Sequence, residues 1–303
     1  MSLTVMPGKA ITTDALTAYS VTQDEQIWLS GTTYPKSAWV VLDEFGSTIY
    51  ESLADNNFGN NPADPLGTSW VDLGIPSNRA SMFDSKISTK TRAIETISLT
   101  VDLPGFTNTF SALGLENVKS ITVTAKVGGV AVWTDTRIAY KRQINSIYDM
   151  FFGKHVFTSD VVFTNLPQYK DQTIEVVFTG DPSIEIAVGD FMLGERKIYG
   201  NVQWQFASRR KTYTARTEDT FGNTIVVKRL ASSKRVGLNL VMPPERVAGF
   251  EDDMVEIDGI PVLWILSERY TSTILKAYYD DFESQFSDNL HAYTSLKLTG
   301  TAQ

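Results

Sequence analysis

Apolar and polar residues alternate with a period of two along much of the chain, and a sustained period near 3.6 is almost absent. Residues 94–101 place one face apolar, and Ile121, Val123 and Ala125 do the same before Ala131-Val132-Trp133, with Gly128-Gly129 as the intervening hairpin turn. Further strands are expected at 160–163, 173–178 and 184–188. The last two are expected to pair across Gly180-Asp181-Pro182, and Gly189 and Gly194 to mark bends out of the sheet. A helical exception lies near 145–152. Many short strands at this spacing predict an antiparallel sandwich or jelly roll over residues 74–199.

The flanking segments read differently. Residues 1–24 are polar and Thr-rich, an arm or short strand that is ordered only where something holds it, in an oligomer a neighbouring subunit. In residues 25–73 aromatics bracket turn signals. Trp28 precedes Ser30-Gly31, Tyr34 precedes Pro35, strands are expected at 38–42 and 49–52 around a Phe45-Gly46 turn, and Trp70 closes the unit after an Asn, Gly and Pro loop. Trp39, inside the first of these strands, is expected to be packed. Residues 200–303 resume alternation at 202–206, turn at 220–224, and predict strands at 225–230, 236–242, 260–265, 274–279 and 293–298, with a short helix opening at 243–247. The expected class is therefore all-β: an arm, a small β module, a central sandwich and a β-rich C-terminal domain.

Composition narrows the function more than the fold. Apolar residues are 42% and charged residues 20% of 303, values of an ordinary folded protein, and no apolar run approaches the ~20 residues that cross a bilayer, so no membrane insertion is expected. The first residues hold no continuous apolar stretch, so no secretory signal is expected. With no cysteine, disulfides and thiolate chemistry are excluded. A net charge of −8 argues against a nucleic-acid coat. Residues 205–240 form a basic exception, with Arg209, Arg210, Lys211, Arg216, Lys228 and Arg229, read as a solvated or interface face.

The two histidines, His155 and His291, stand in no HExxH or paired spacing, and no GxSxG, Walker loop or GxGxxG is present. The dense acids are Glu251-Asp252-Asp253 and Asp280-Asp281, but adjacent acids on an extended strand point to opposite faces, so sequence proximity alone does not make a carboxylate pair across a cleft. The expectation is a protein that is not an enzyme and takes no cofactor or metal.

Residues 70–91 join the modules. Their ordered Trp70, Asp72, Gly74, Asn78, Arg79, Met82, Phe83 and Asp84 resemble a segment of tailed-bacteriophage virion proteins. Arg79 reads either as a ligand clamp or as an internal ion pair or cap with Asp72 or Asp84. Residues 25–73 resemble the chitin-binding-type carbohydrate-binding modules of families five and twelve, which implies sugar stacking at Trp28, Tyr34, Tyr50 and Trp70; the residues themselves equally suit a small aromatic core. Residues 67–199 resemble a galactose-binding-like jelly roll, and the FGN turn, PVLWI strand and terminal SLKLTG resemble C-terminal parts of phage tail components. Together these resemblances imply a tail or baseplate adaptor in the virion, a ring homo-oligomer contacting other tail proteins. They imply as the alternative a binder of host surface glycan displayed on the tail.

Overall fold

The computed structural model describes residues 2–43, 48–103, 105–142, 144, 146–153, 155–204, 206–228, 232–267 and 273–301. Strands hold 49% of the chain and helices 9%, which makes the fold all-β. The first two strands are not a free arm. Strand β1 (Ser2–Met6) lies between the C-terminal strands Lys197–Val202 and Val262–Ile265, and β2 (Leu16–Tyr19) extends the central sheet beside Thr96–Asp102. Leu3, Val5 and Met6 are buried, so backbone pairing and apolar burial within the same chain hold the segment that was expected to be ordered only where something ties it down.

The small module comprises β3 (Gln26–Ile27), β4 (Thr33–Tyr34), β5 (Trp39–Val41), β6 (Tyr50–Ser52), β7 (Asn57–Phe58) and β8 (Trp70–Asp72). Its main sheet runs β3-β5-β6-β8, and β4 pairs with β7, a two-residue strand inside the loop read as irregular. The expected Phe45-Gly46 turn lies outside the described residues.

The central unit contains β9 (Thr91–Ile94), β10 (Thr96–Asp102), β11 (Thr109–Leu113), β12 (Ser120–Val127), β13 (Val130–Ile138), β14 (Tyr140–Arg142), helix α1 (Ile147–Phe152), β15 (His155–Phe157), β16 (Val161–Phe163), β17 (Gln172–Thr179), β18 (Glu185–Val188) and β19 (Asp190–Gly194). A sheet ordered β13-β12-β17-β10-β2 faces the three-stranded β16-β11-β19. Alternate residues of β10, β12 and β17 point inward, among them Leu99, Val123 and Val176, and meet Phe110, Phe163 and Phe191 of the opposite sheet in one core. Gly128 and Gly129, at φ 57 and 82, make the tight β12–β13 turn, as a two-residue hairpin requires.

Two pairing expectations are corrected here. Strands β17 and β18 do not form a hairpin: β17 pairs with β10 and β12, while β18 pairs with β9. A turn at 181–184, with Ser183 at φ 65, carries the chain out of the large sheet. Residues 94–101 likewise are two strands, because Glu95 at φ 65 breaks the ladder and leaves Ile94 in solvent.

The C-terminal unit begins at β20 (Lys197–Val202) and continues through β21 (Ala207–Thr212), β22 (Ala215–Glu218), β23 (Thr224–Lys228), β24 (Ser232–Met242), helix α2 (Val247–Glu256), β25 (Val262–Ile265), β26 (Ile274–Phe286) and β27 (Ala292–Gly300). The order β20-β1-β25-β26-β27-β24 closes on itself through a second β20–β24 pairing, a barrel whose interior holds Trp264, Leu240 and Leu298. Helix α2 covers it with Val247, Phe250 and Met254. The alternation read through 202–206 is not one strand: it stops at Val202, Trp204 is exposed, and pairing resumes at Ala207. Residues 229 and 230 of the expected 225–230 strand lie outside the described residues.

Sandwich and barrel share an apolar seam of Ile87, Leu113, Val162 and Met192 against Met6, Leu263, Ile265 and Ile274. Beside it, Lys276 of β26 donates to both carboxylate oxygens of Asp190 in β19 at 2.9 Å, and each side chain is 2% exposed.

Candidate functional site

The aromatics proposed to stack on sugar form the core of the small module. Tyr34 is 2% and Trp70 8% exposed, their rings meet edge to face at 5.3 Å, and Trp28, Ala38 and Tyr50 pack half-buried around them and Val40. Their polar ends are satisfied internally: the Leu29 N–H donates to the Tyr34 hydroxyl at 2.7 Å, and the Trp70 indole donates to the Asn60 carbonyl at 2.9 Å. Neither ring presents a face to solvent, which corrects the stacking assignment for Tyr34 and Trp70. A unit of this size without disulfides needs its large rings inside. The exposed indole is Trp39, at 54%, donating to Glu51 across the sheet at 3.4 Å with Val71 alongside Glu51 on β8. Strand alternation explains it: Ala38 and Val40 face inward, so Trp39 faces out.

The joining residues are structural. Asp72 accepts from the Gly74 N–H and Asp84 from the Lys86 N–H and the Thr89 hydroxyl, so both close local turns. Asn78 clips the segment to β9, donating to the Arg92 carbonyl at 2.9 Å and accepting from its N–H at 2.7 Å. Arg79 pairs with neither Asp72 nor Asp84. Its guanidinium lies 5.3 Å from the Tyr19 ring centroid, and the Tyr19 hydroxyl donates to the Arg79 carbonyl. Burial pushes the Tyr19 phenol well above its ordinary range, so it stays a neutral donor.

The basic residues lie on a hairpin that leaves the barrel. Strand β21 pairs with the first half of β24, and β22 with β23, toward a tip at Asp219, Phe221 and Asn223. All six residues of β21 are exposed, Arg209, Arg210 and Lys211 among them. Arg209 faces Arg235 and Arg210 faces Lys234 across the ladder, like charges directly opposed. Arg216 and Lys228 stand on β22 and β23, while Arg229 lies outside the described residues.

The apolar segment after β13 holds a feature missed by sequence reasoning. Helix α1 is capped by Ser146, whose hydroxyl accepts from the Asp149 N–H at 3.1 Å, and it buries no residue. Ile147, Tyr148, Phe151 and Phe152 are all exposed, the last two at 64% and 70%, and Tyr148 and Phe152 meet at 5.0 Å. The helix was legible. Its exposure was not, because an apolar helix normally signals a buried one.

Among the described residues, no group of three His, Asp or Glu side chains could hold a metal ion. Asp288 accepts from the His291 N–H and approaches its ring, closing the β26–β27 turn. Asp253 of α2 is held below the usual carboxylate range by Lys197 and Tyr199 against the opposing effect of burial, and burial with Asp253 pushes the Tyr199 phenol up. Asp190 is pushed up by burial and pulled back by Lys276; this pair lines, with Gly8 and Ile11, a cavity of about 250 Å³. No protein-family model and no curated protein matches the chain.

Proposed function

We propose that this chain is a structural adaptor of a bacteriophage tail or baseplate, a non-enzymatic component that works by docking other proteins and further copies of itself. The observation that carries this reading is the aromatic tip at α1. Folded chains rarely leave contiguous apolar surface uncovered, and in α1 every residue but Asp149 is apolar and exposed, a surface that suits a partner. The basic hairpin and the buried seam between sandwich and barrel suit a part that holds neighbours at a set angle. In this reading the sandwich is the galactose-binding-like jelly roll serving as a spacer.

The test is a mass-spectrometric inventory of purified particles made with the wild-type chain and with Phe151→Ser/Phe152→Ser. Both rings face solvent, so the variant is expected to fold with a stability change within about 0.5 kcal/mol, yet to be missing from particles. A wild-type chain absent from particles, or a variant incorporated equally well, overturns the proposal.

Trp39 favours a second reading, glycan recognition. An exposed indole steadied by Glu51 offers the flat face on which a sugar ring stacks, and this is the position to which that hypothesis moves. Binding on a glycan array that disappears in Trp39→Ala supports it, and a blank array with folded protein removes it.

A further inference from the structure

Two open strand edges on the barrel carry opposite charge. The outer edge of β21 ends its sheet, and among the described residues no ion pair engages Arg209, Arg210 or Lys211. The second edge belongs to β26. Strand β25 covers only its first turn of pairing, residues 274–277, while β27 pairs onward to Phe286 on the other side. From Tyr278 to Phe286 no described strand pairs on the former β25 side, and this stretch exposes Asp280, Asp281 and Glu283, with Asp281 paired to Lys297 of β27 at 3.0 Å and Asp280 accepting from the Thr299 hydroxyl at 2.6 Å. Unpaired edges of this length are templates for another strand, which natural proteins cover or blunt with charge. Here the charges are of one sign on each edge, which repels like edges and selects unlike ones.

Resting on the assembly reading above, we propose that the basic β21 edge of one copy pairs with the acidic β26 edge of a second copy. Backbone N–H and C=O groups then continue the sheet from barrel to barrel, and the lysine and arginines meet Asp280, Glu283 and Asp281, the last exchanging its Lys297 partner for one of them. The opposed Arg209–Arg235 and Arg210–Lys234 pairs, unfavourable within one copy, gain acidic partners at this contact. Because the two edges are different surfaces, the contact is head to tail, which builds a ring where the rotation closes and a filament where it does not.

The experiment measures the native mass of the full-length chain and of three variants, with circular dichroism confirming each fold. One variant carries Arg209→Glu, Arg210→Glu and Lys211→Glu; a second carries Asp280→Lys, Asp281→Lys and Glu283→Lys; the third carries all six. Wild type is expected to form oligomers that weaken with added salt, since exposed charges are screened. Each single-edge reversal is expected to raise the dissociation constant at least about a hundredfold by setting like charges face to face. The six-residue variant is expected to associate again, because its edges are complementary in the opposite sense. Wild-type oligomers that ignore both single-edge reversals overturn this interface while leaving the assembly reading in place. A wild-type chain that stays monomeric overturns the interface and removes self-association from that reading.

Discussion

Replacing Lys276 with methionine isolates the contact that locks sandwich to barrel. Methionine keeps most of the volume but removes the ammonium that donates to both oxygens of Asp190 at 2.9 Å, where each side chain is 2% exposed. A carboxylate left buried without a counter-charge is strongly unfavourable, so the native state of the variant binds a proton there instead. Holding that proton costs about 1.4 kcal/mol for each pH unit above the unfolded pKa of about 3.9, hence about 4 kcal/mol at pH 7 and about 1.5 at pH 5. The sign follows from burial, which already raises the Asp190 pKa against the pull of Lys276, with Asp84 adding to the rise. With the folded pKa above the unfolded one, relative stability is full below about pH 4 and falls as pH rises toward neutrality. Urea unfolding followed by tryptophan fluorescence, to which the buried Trp264 contributes, is expected to show this loss and its shrinkage on acidification. Lys276→Met/Asp190→Leu is expected to return to within about 1 kcal/mol of wild type or exceed it, since an apolar replacement of a buried pair is often neutral or stabilising. A loss below about 1 kcal/mol at pH 7, or one independent of pH, would refute the argument.

Trp70→Ala empties the centre of the small module and is expected to cost that unit about 3–5 kcal/mol, seen as new protease cleavage confined to residues 25–73 while the barrel stays protected. Asn78→Ala removes both clips to the Arg92 backbone and is expected to cost about 1–2 kcal/mol in thermal unfolding, with faster amide exchange across 73–80. In Gly189→Ala the new methyl would sit 2.6 Å from the Ile87 carbonyl oxygen and 3.1 Å from that of Leu113, both backbone atoms, so a loss of about 1–3 kcal/mol is expected in denaturant unfolding.

The sandwich strands were legible because each has one wet and one dry face, and that alternation survives whatever the strands pair with. Partner choice was not. The turn at 181–184 looks like a hairpin in sequence, but Ser183 at φ 65 sends β18 to β9. The place of β1 was equally hidden, since five residues carry no signal of the distant strands beside them. Residues 25–73 show the same limit from the other side. Their aromatics could be read as core or as platform, and only the alternation of β5, which turns Val40 inward and Trp39 outward, assigns the roles. The Lys276–Asp190 pair was out of reach altogether, because its members stand 86 positions apart on strands of different units. Among the joining residues, Arg79 could be read as a ligand clamp or as paired with Asp72 or Asp84, and neither reading could point to the ring of Tyr19 on a strand expected to be arm.

Whether this chain joins copies of itself is decided by the native mass of the purified full-length protein across micromolar concentrations at low salt. Multiples of the 33.7 kDa protomer are expected, with rings visible by electron microscopy where the contact closes. A single species at the protomer mass across the whole concentration range would contradict self-association.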